Sequence, residues 1–408
     1  MNSCMMMKLL TGLLSFVLFL PAAATEVVVP GGGADREGAL VSFEAPQEMR
    51  GELSLSDGKG TTLPLQVDED GRAVFVLPRL EKGGSATFSV GPKEPVIFPV
   101  DVEVTKHRDQ LQIVARDGLK EMPLLGYQMQ PGGLPQSVPE VYAHGAHLHP
   151  LFSPSGKMVT GNYSPDHYWY RGVWMAWEHA QFRGHDIDFW NLKPDRDGDI
   201  NREVRFTKLE RFWSGRVQGG FVSHHQFLDQ SGGGDEVPVL DETWEVRATP
   251  VTVHGKLLFL IDLTSTQACA GKDPLKLLPP YGGLGVRGSR AWDMAGAEST
   301  LTSEGADRAA GSGHPARWVV MSGDIEGSPA SLAVLAHPGN LHAPQTMHLG
   351  TESPLITVSP TVESEWSIEP GRPLVSRYRL VVMDGRADAA LLDMLWNDFA
   401  DPLKVQCR

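Results

Sequence analysis

Long apolar runs are almost absent from this chain. The one near the N-terminus, Leu9–Leu20, is too short to cross a bilayer, and no later stretch reaches the roughly 18 apolar residues a spanning helix needs. Stable membrane insertion is therefore not expected. Cysteine is scarce too, three in 408 residues, so this is not a disulfide scaffold. Cys269 and Cys407 can pair in an oxidising compartment, but a core of this size needs no staple, and two free thiols are preferred. Basic residues are outnumbered, 36 against 50 acidic, for a net charge of -14. Such a surface repels phosphate backbones, which argues against nucleic acid as a partner. No internal repeat of fixed period is present.

What the chain does have is turns. Gly 44 and Pro 30 punctuate short alternating runs, the pattern of half-buried strands. The expected class is all-β: a large antiparallel β-sandwich preceded by a small β-sandwich, with one C-terminal helix. Residues 1–25 read as a cleaved secretory signal: Lys8, the apolar run, then the small residues Pro21-Ala22-Ala23-Ala24. Export to the periplasm or beyond is the expectation. Residues 26–120 read as the small β domain, and 121–408 as the larger one. Two runs joined by His254-Gly255 read as a hairpin. Asp388 caps a helix with apolar Leu391, Leu392, Leu395 and Phe399, and Pro402 stops it.

Chemistry concentrates in one segment. Eight of the 14 histidines and five of the ten tryptophans lie between 144 and 225. Asp166-His167 pairs a carboxylate with an imidazole it can hold in one tautomer, as acid–base work requires. Arg171 and Arg287 can grip a carboxylate or a sugar's hydroxyls. Trp174, Trp177 and Trp190 can offer flat faces to a sugar ring, with Asn191, Tyr281 and His149 as further contacts. His225 and Glu242 lie on strand-like runs, and Glu242 pointing inward beside a histidine makes a second acid–base pair. His144, His147 and His149 have the look of a metal triad, but rings hydrogen-bonded within a loop are the simpler reading. The glycine-rich run Tyr281–Gly288 lacks both a Walker lysine and a strand–GxGxxG–helix context, so no nucleotide is expected.

From about 120 onward the chain resembles a secreted bacterial family of unknown function that carries the name "methane oxygenase PmoA". The resemblance rests on His149-Pro150-Leu151, Arg171-Gly172-Val173-Trp174-Met175-Ala176-Trp177, Asp188-Phe189-Trp190-Asn191, Glu242-Thr243-Trp244-Glu245-Val246, Tyr281–Gly288 and Leu395-Trp396-Asn397-Asp398-Phe399-Ala400. The name does not describe an activity here. A methane monooxygenase membrane subunit is a bundle of apolar helices, and this chain is patterned for strands. The resemblance implies a large sandwich similar in outline to the galactose-mutarotase-like supersandwich. Relatives carry a histidine cluster where Tyr168-Trp169-Tyr170 stand, and a histidine where Pro280-Tyr281 stand, so this chain departs from them in two places.

The residues fit three activities, in this order. The first is an enzyme acting on a sugar or glycoside by acid–base chemistry, with a small-molecule or oligosaccharide ligand and no cofactor or metal. The second is a glycan-binding module without turnover. The third is a mononuclear metal oxidoreductase built on the histidine triad.

Overall fold

The structure is a computed structural model describing residues 25–408 except 48, 52, 96–99, 195–199 and 233–234. The leader read from the sequence lies outside the described residues. The described chain is built of strands, and every strand pair in it is antiparallel. The expected all-β class holds.

Two sheets form the main sandwich. One has nine strands, in the order His314–Pro315, Thr346–Leu349, Leu355–Ser359, Gly282–Arg287, Val173–Trp177, His147–Leu151, Lys120–Gln128, Gln110–Asp117 and Val100–Lys106. The other has eight: Arg202–Trp213, Gly219–Asp229, Val237–Val253, Lys256–Cys269, Leu374–Asp384, Ser328–Ala336, Trp318–Ile325 and Glu298–Thr302. Period-two alternation sends Val173, Met175, Leu284 and Val286 of the first against Phe221, Trp244, Phe259 and Leu380 of the second. The boundary drawn at 120 falls inside the nine-stranded sheet. Strands 100–106 and 110–117 hydrogen-bond onto Lys120–Gln128, and their apolar residues join the sandwich core.

Each sheet is covered on its far side, which decides the fate of the tryptophans. Trp174 and Ala176 point outward from the nine-stranded sheet into a second core. A four-stranded sheet (His185–Ile187, Ala180–Phe182, Leu275–Leu277, Trp366–Ile368) contributes to that core and closes it. The far face of the eight-stranded sheet carries Val320, Leu335 and Val381, and is covered by the helix Ala389–Ala400 through Leu391, Leu392 and Leu395. Asp388 caps that helix by accepting from the Leu391 N–H. The only other α-helical piece among the described residues is a single turn, Arg308–Gly311. The hairpin at His254-Gly255 forms with φ 49° and 70°, the left-handed pair that a tight two-residue turn demands.

The N-terminal seven-stranded sheet curls over its own core of Val27, Val41, Leu55, Phe75 and Phe88. Its last strand is Gln406–Cys407, paired with Glu26–Pro30. Arg36 joins it to the C-terminal helix by a buried ion pair with Asp398, 2.6 Å long and 3% exposed on each side. Removing one member of such a pair strands the other charge. Arg36→Ala is expected to cost roughly 3 kcal/mol and to speed proteolysis of the N-terminal sheet, which limited digestion will read. Cys269 and Cys407 are free thiols, and Cys269 donates to the Ile368 carbonyl.

Candidate functional site

The sequence-derived residues gather in three places rather than one. The first is sealed inside the sandwich. His225 and Glu242 stand directly opposite each other on neighbouring strands, so their side chains share a face. The His225 Nδ1 lies 2.9 Å from Glu242 Oε2, and both side chains are 0% exposed. Ser265 Oγ and Gln267 Nε2 donate to Glu242 Oε1 at 2.6 and 2.9 Å, while Trp177 Nε1 donates to Gln267. The Tyr127 hydroxyl sits 2.7 Å from His225 Nε2. The pair exists, but no substrate reaches it. Its groups bond one another, which is how a sandwich core carries polar side chains.

The second group surrounds Arg287. Its guanidinium is 0% exposed and makes two bonds to Asp166, at 2.8 and 3.1 Å, and one to Asp293 at 2.7 Å. A guanidinium so committed is not a substrate clamp. Asp166 also takes the His167 Nδ1 at 3.0 Å, and each of these two side chains is about one-third exposed at 33% and 34%. Burial pushes the Asp166 carboxyl up, but hydrogen bonds from His167 and Arg287 outweigh it and hold it well below the usual range. His167 stacks on Tyr170 at 4.4 Å, and Tyr170 on Trp174 at 5.5 Å.

Behind them the aromatic column is closed. Trp174, Trp177 and Trp190 are 0–1% exposed, so none presents a face to a sugar. The third layer that buries Trp174 and Trp190 left no trace in the strand alternation. The glycine-rich run is explained by the same packing, because a Cβ on Gly285 would sit 2.5 Å from the Trp174 ring. Asn191 is held in a turn, donating to Glu178 and Asp188. Tyr281 is half-buried, stacked on His348 at 4.6 Å with its edge toward Trp190.

Three further rings that meet solvent are ones not picked as site residues from the sequence. Tyr142, Tyr168 and Trp169 are each part-exposed. Tyr142 lies 5.3 Å from Tyr168 and 6.2 Å from Trp169, and Trp169 lies 5.1 Å from the His167 ring. They come from the 3-10 turn Glu140–Tyr142 and the strand His167–Arg171, which pairs with Asn162–Ser164. The density of Tyr168-Trp169-Tyr170 was a visible signal, but the approach of Tyr142 was not.

The third place adjoins this surface. A cleft of about 520 Å³ is lined by His107, Asp109, Gln128, His144, His147, His149 and Asn162, among others. One backbone contact fixes its proton arrangement. The Tyr163 N–H donates to Asn162 Oδ1, so the amide is oriented with Nδ2 toward His147. His147 Nε2 therefore accepts, and its Nδ1–H donates to the Gly145 carbonyl. His144 Nε2 must donate to Asn162 Oδ1, which leaves Nδ1 as the unprotonated nitrogen, buried on the side of the Tyr142 backbone. Burial pushes His144 down to about 3 and His149 to about 4. His147 falls well below its usual value through burial, then the charges of His144 and Arg171. His149 Nδ1 is bonded to Thr160. With both His147 nitrogens engaged, the three imidazoles do not converge as a ligand set, and no group of three metal ligands forms among the described residues.

The architecture is thus a layered antiparallel β-sandwich carrying a polar cleft beside a part-exposed aromatic surface. The chain belongs to the family of unknown function DUF6807, which it matches over residues 118–397. No curated protein matches it. Among solved structures it is similar to a protein in the glycosyl hydrolase family 38 from Enterococcus faecalis, at 8% identity and TM-score 0.42, covering 96% of this chain and 48% of that one. It is also similar to the GH36 α-galactosidase AgaA from Geobacillus stearothermophilus, at 11% identity and TM-score 0.29, covering 70% and 41%. The chain spans about half the length of the first of these.

Proposed function

We propose that this is an exported protein acting on a carbohydrate at the surface formed by the 140–149 segment and the 162–171 hairpin. One observation carries the reading. The Asp166–His167 pair, one-third open to solvent, stands beside Trp169, which in turn neighbours Tyr142. A carboxylate-held imidazole is equipped to move a proton, and exposed aromatic rings receive the C–H faces of a sugar. The adjoining cleft, lined with imidazole and amide groups, supplies partners for hydroxyls and is of ligand size. Asp166 is kept in its acceptor form by Arg287, so the arginine acts as a positioning residue.

The test is a panel of mono- and oligosaccharides scored first by thermal shift, then by product analysis. On the sugar that binds, His167→Ala is expected to lower turnover by about 10²–10⁴-fold with binding nearly unchanged. Trp169→Ala is expected to weaken binding about three- to tenfold, the worth of one aromatic contact. Unchanged turnover in His167→Ala would exclude the catalytic role. Saturable binding with no product from the unaltered protein would leave a glycan-binding module.

A further inference from the structure

The polar cleft has a counterpart. A second hollow, of about 490 Å³, lies among Glu178, Gln181, Asp186, Arg202 and Asp229. Strand register puts the two at one end of the nine-stranded sheet. His147 stands opposite Gln128, Gln128 also stands opposite Gln110, and all three line the cleft. Leu148 pairs with Val173, so the antiparallel strand Val173–Trp177 runs on past that end, and Glu178, its next residue, lines the second hollow. Leu278 and Pro279 enter the same hollow just before the strand Gly282–Arg287, whose Gly282 pairs with Trp177. The cleft and the hollow thus sit over neighbouring strands, centred roughly 10–15 Å apart by strand spacing.

The ground between them is the aromatic surface. Tyr142 comes just before His144 of the cleft lining and lies 6.2 Å from Trp169. On the other side the Lys193 ammonium lies over the Trp169 ring, 5.3 Å from its centre. The Lys193 carbonyl accepts from Arg202 at 3.0 Å, and Arg202 lines the second hollow. Arg202 also donates to the Asp188 and Asn191 carbonyls, so the segment that carries Lys193 is anchored to the hollow's wall. Cleft, aromatic ridge and hollow are therefore contiguous, and a single sugar ring covers only one of them. The two linings agree in chemistry, since both offer carboxylate, amide and imidazole groups that bind hydroxyls. In the second hollow the carboxylates of Glu178, Asp186, Asp188 and Asp229 outnumber the one arginine, which disfavours an acidic ligand.

We propose that the cleft and the hollow are subsites of one groove, and that its ligand is a neutral oligosaccharide long enough to cross the aromatic ridge. This rests on the carbohydrate reading above and names the substrate class as a chain rather than a single sugar. The inner units of the chain lie on Trp169 and Tyr142 with Asp166–His167 beside them, and its two ends fill the cleft and the hollow. Lys193 is exposed, so a chain laid across the ridge displaces only an ammonium on a flexible stem.

The experiment is calorimetric titration of the purified protein with cello-, malto- and xylo-oligosaccharides of one to six units, and with oligogalacturonides of the same lengths. In at least one neutral series, affinity is expected to rise about tenfold or more from the disaccharide to the pentamer. Gln181→Ala combined with Asp186→Ala trims two exposed side chains of the hollow. It should lower pentamer affinity about tenfold and leave disaccharide binding within about twofold. Asp109→Ala, on the part-exposed rim of the cleft, should act the same way from the other end. Both variants should melt with the unaltered protein, because none of the three side chains is buried. No gain beyond the disaccharide, or a gain that survives either variant, overturns the inference and leaves the carbohydrate reading standing. Equal losses for disaccharide and pentamer also overturn it, because the hollow is then a separate site. Tighter binding of an oligogalacturonide than of every neutral chain overturns the assignment to a neutral ligand. If no sugar of any length binds, the carbohydrate reading itself falls and this inference with it.

Discussion

Between pH 7.5 and pH 5 the protein is expected to lose about 4 kcal/mol or more of its stability. His144, His147 and His149 titrate near 6.5 in the unfolded chain. Folded, they resist protonation to far lower pH because burial disfavours the charged ring. Below pH 6.5 the unfolded state thus binds more protons, and stability falls as pH falls. The loss begins near the unfolded value and continues until the folded rings titrate, at about 4 for His149 and about 3 for His144. At pH 5 His144 and His149 each contribute a loss of about 2 kcal/mol, roughly 4 kcal/mol together, and His147 adds to it in the same direction. Domains of ordinary stability have only about 5–15 kcal/mol to lose. Guanidinium melts at half-unit pH intervals will show it. Replacing His144 and His147 by glutamine should flatten the curve, and a flat curve in the unaltered protein would contradict the burial argument.

The second large effect is expected at Glu242. Its carboxyl receives Ser265 and Gln267 on one oxygen and His225 on the other, with no solvent in reach. Glu242→Ala removes the acceptor and strands three buried partners, a cost of about 3–5 kcal/mol. Glu242→Gln keeps the shape and one acceptor and should cost less. Turnover per folded molecule should be unaffected, because the network does not meet a ligand. Wild-type stability together with lost activity would mean instead that the sandwich opens to substrate.

These two sites show what the chain disclosed and what it hid. Alternation along 173–177 and 243–266 is enough to place strands and to set Val173 and Met175 opposite Trp174 and Ala176, and the structure agrees. The meeting of His225 with Glu242 was also legible, since both stand on adjacent inward-facing runs. Alternation says which residues share a face, but not what covers that face. That is why Trp174 and Trp190 looked available and are sealed beneath a small third sheet. The histidines at 144 and 147 carry the spacing of a metal pair, but spacing is silent about Asn162, which sits between them, accepting from His144 and donating to His147, as the preferred reading of hydrogen-bonded rings requires. Arg171 looked like a clamp among several. Only the structure separates it from Arg287, whose guanidinium bonds Asp166 and Asp293 directly, while Arg171 lies buried within reach of the Glu203 and Glu242 charges.

The closure of the seven-stranded sheet has a consequence for how the chain is made. Glu26–Pro30 borders a strand, Gln406–Cys407, that is synthesised long after it. The Glu26 N–H bonds the Arg408 carbonyl, and the Arg36–Asp398 pair spans almost the same interval. While the nascent chain is still emerging, the N-terminal sheet therefore has an open edge and an unanswered buried arginine. Its completion waits until that later strand and Asp398 have been made, so the N-terminal sheet, though early in the chain, cannot lock before them.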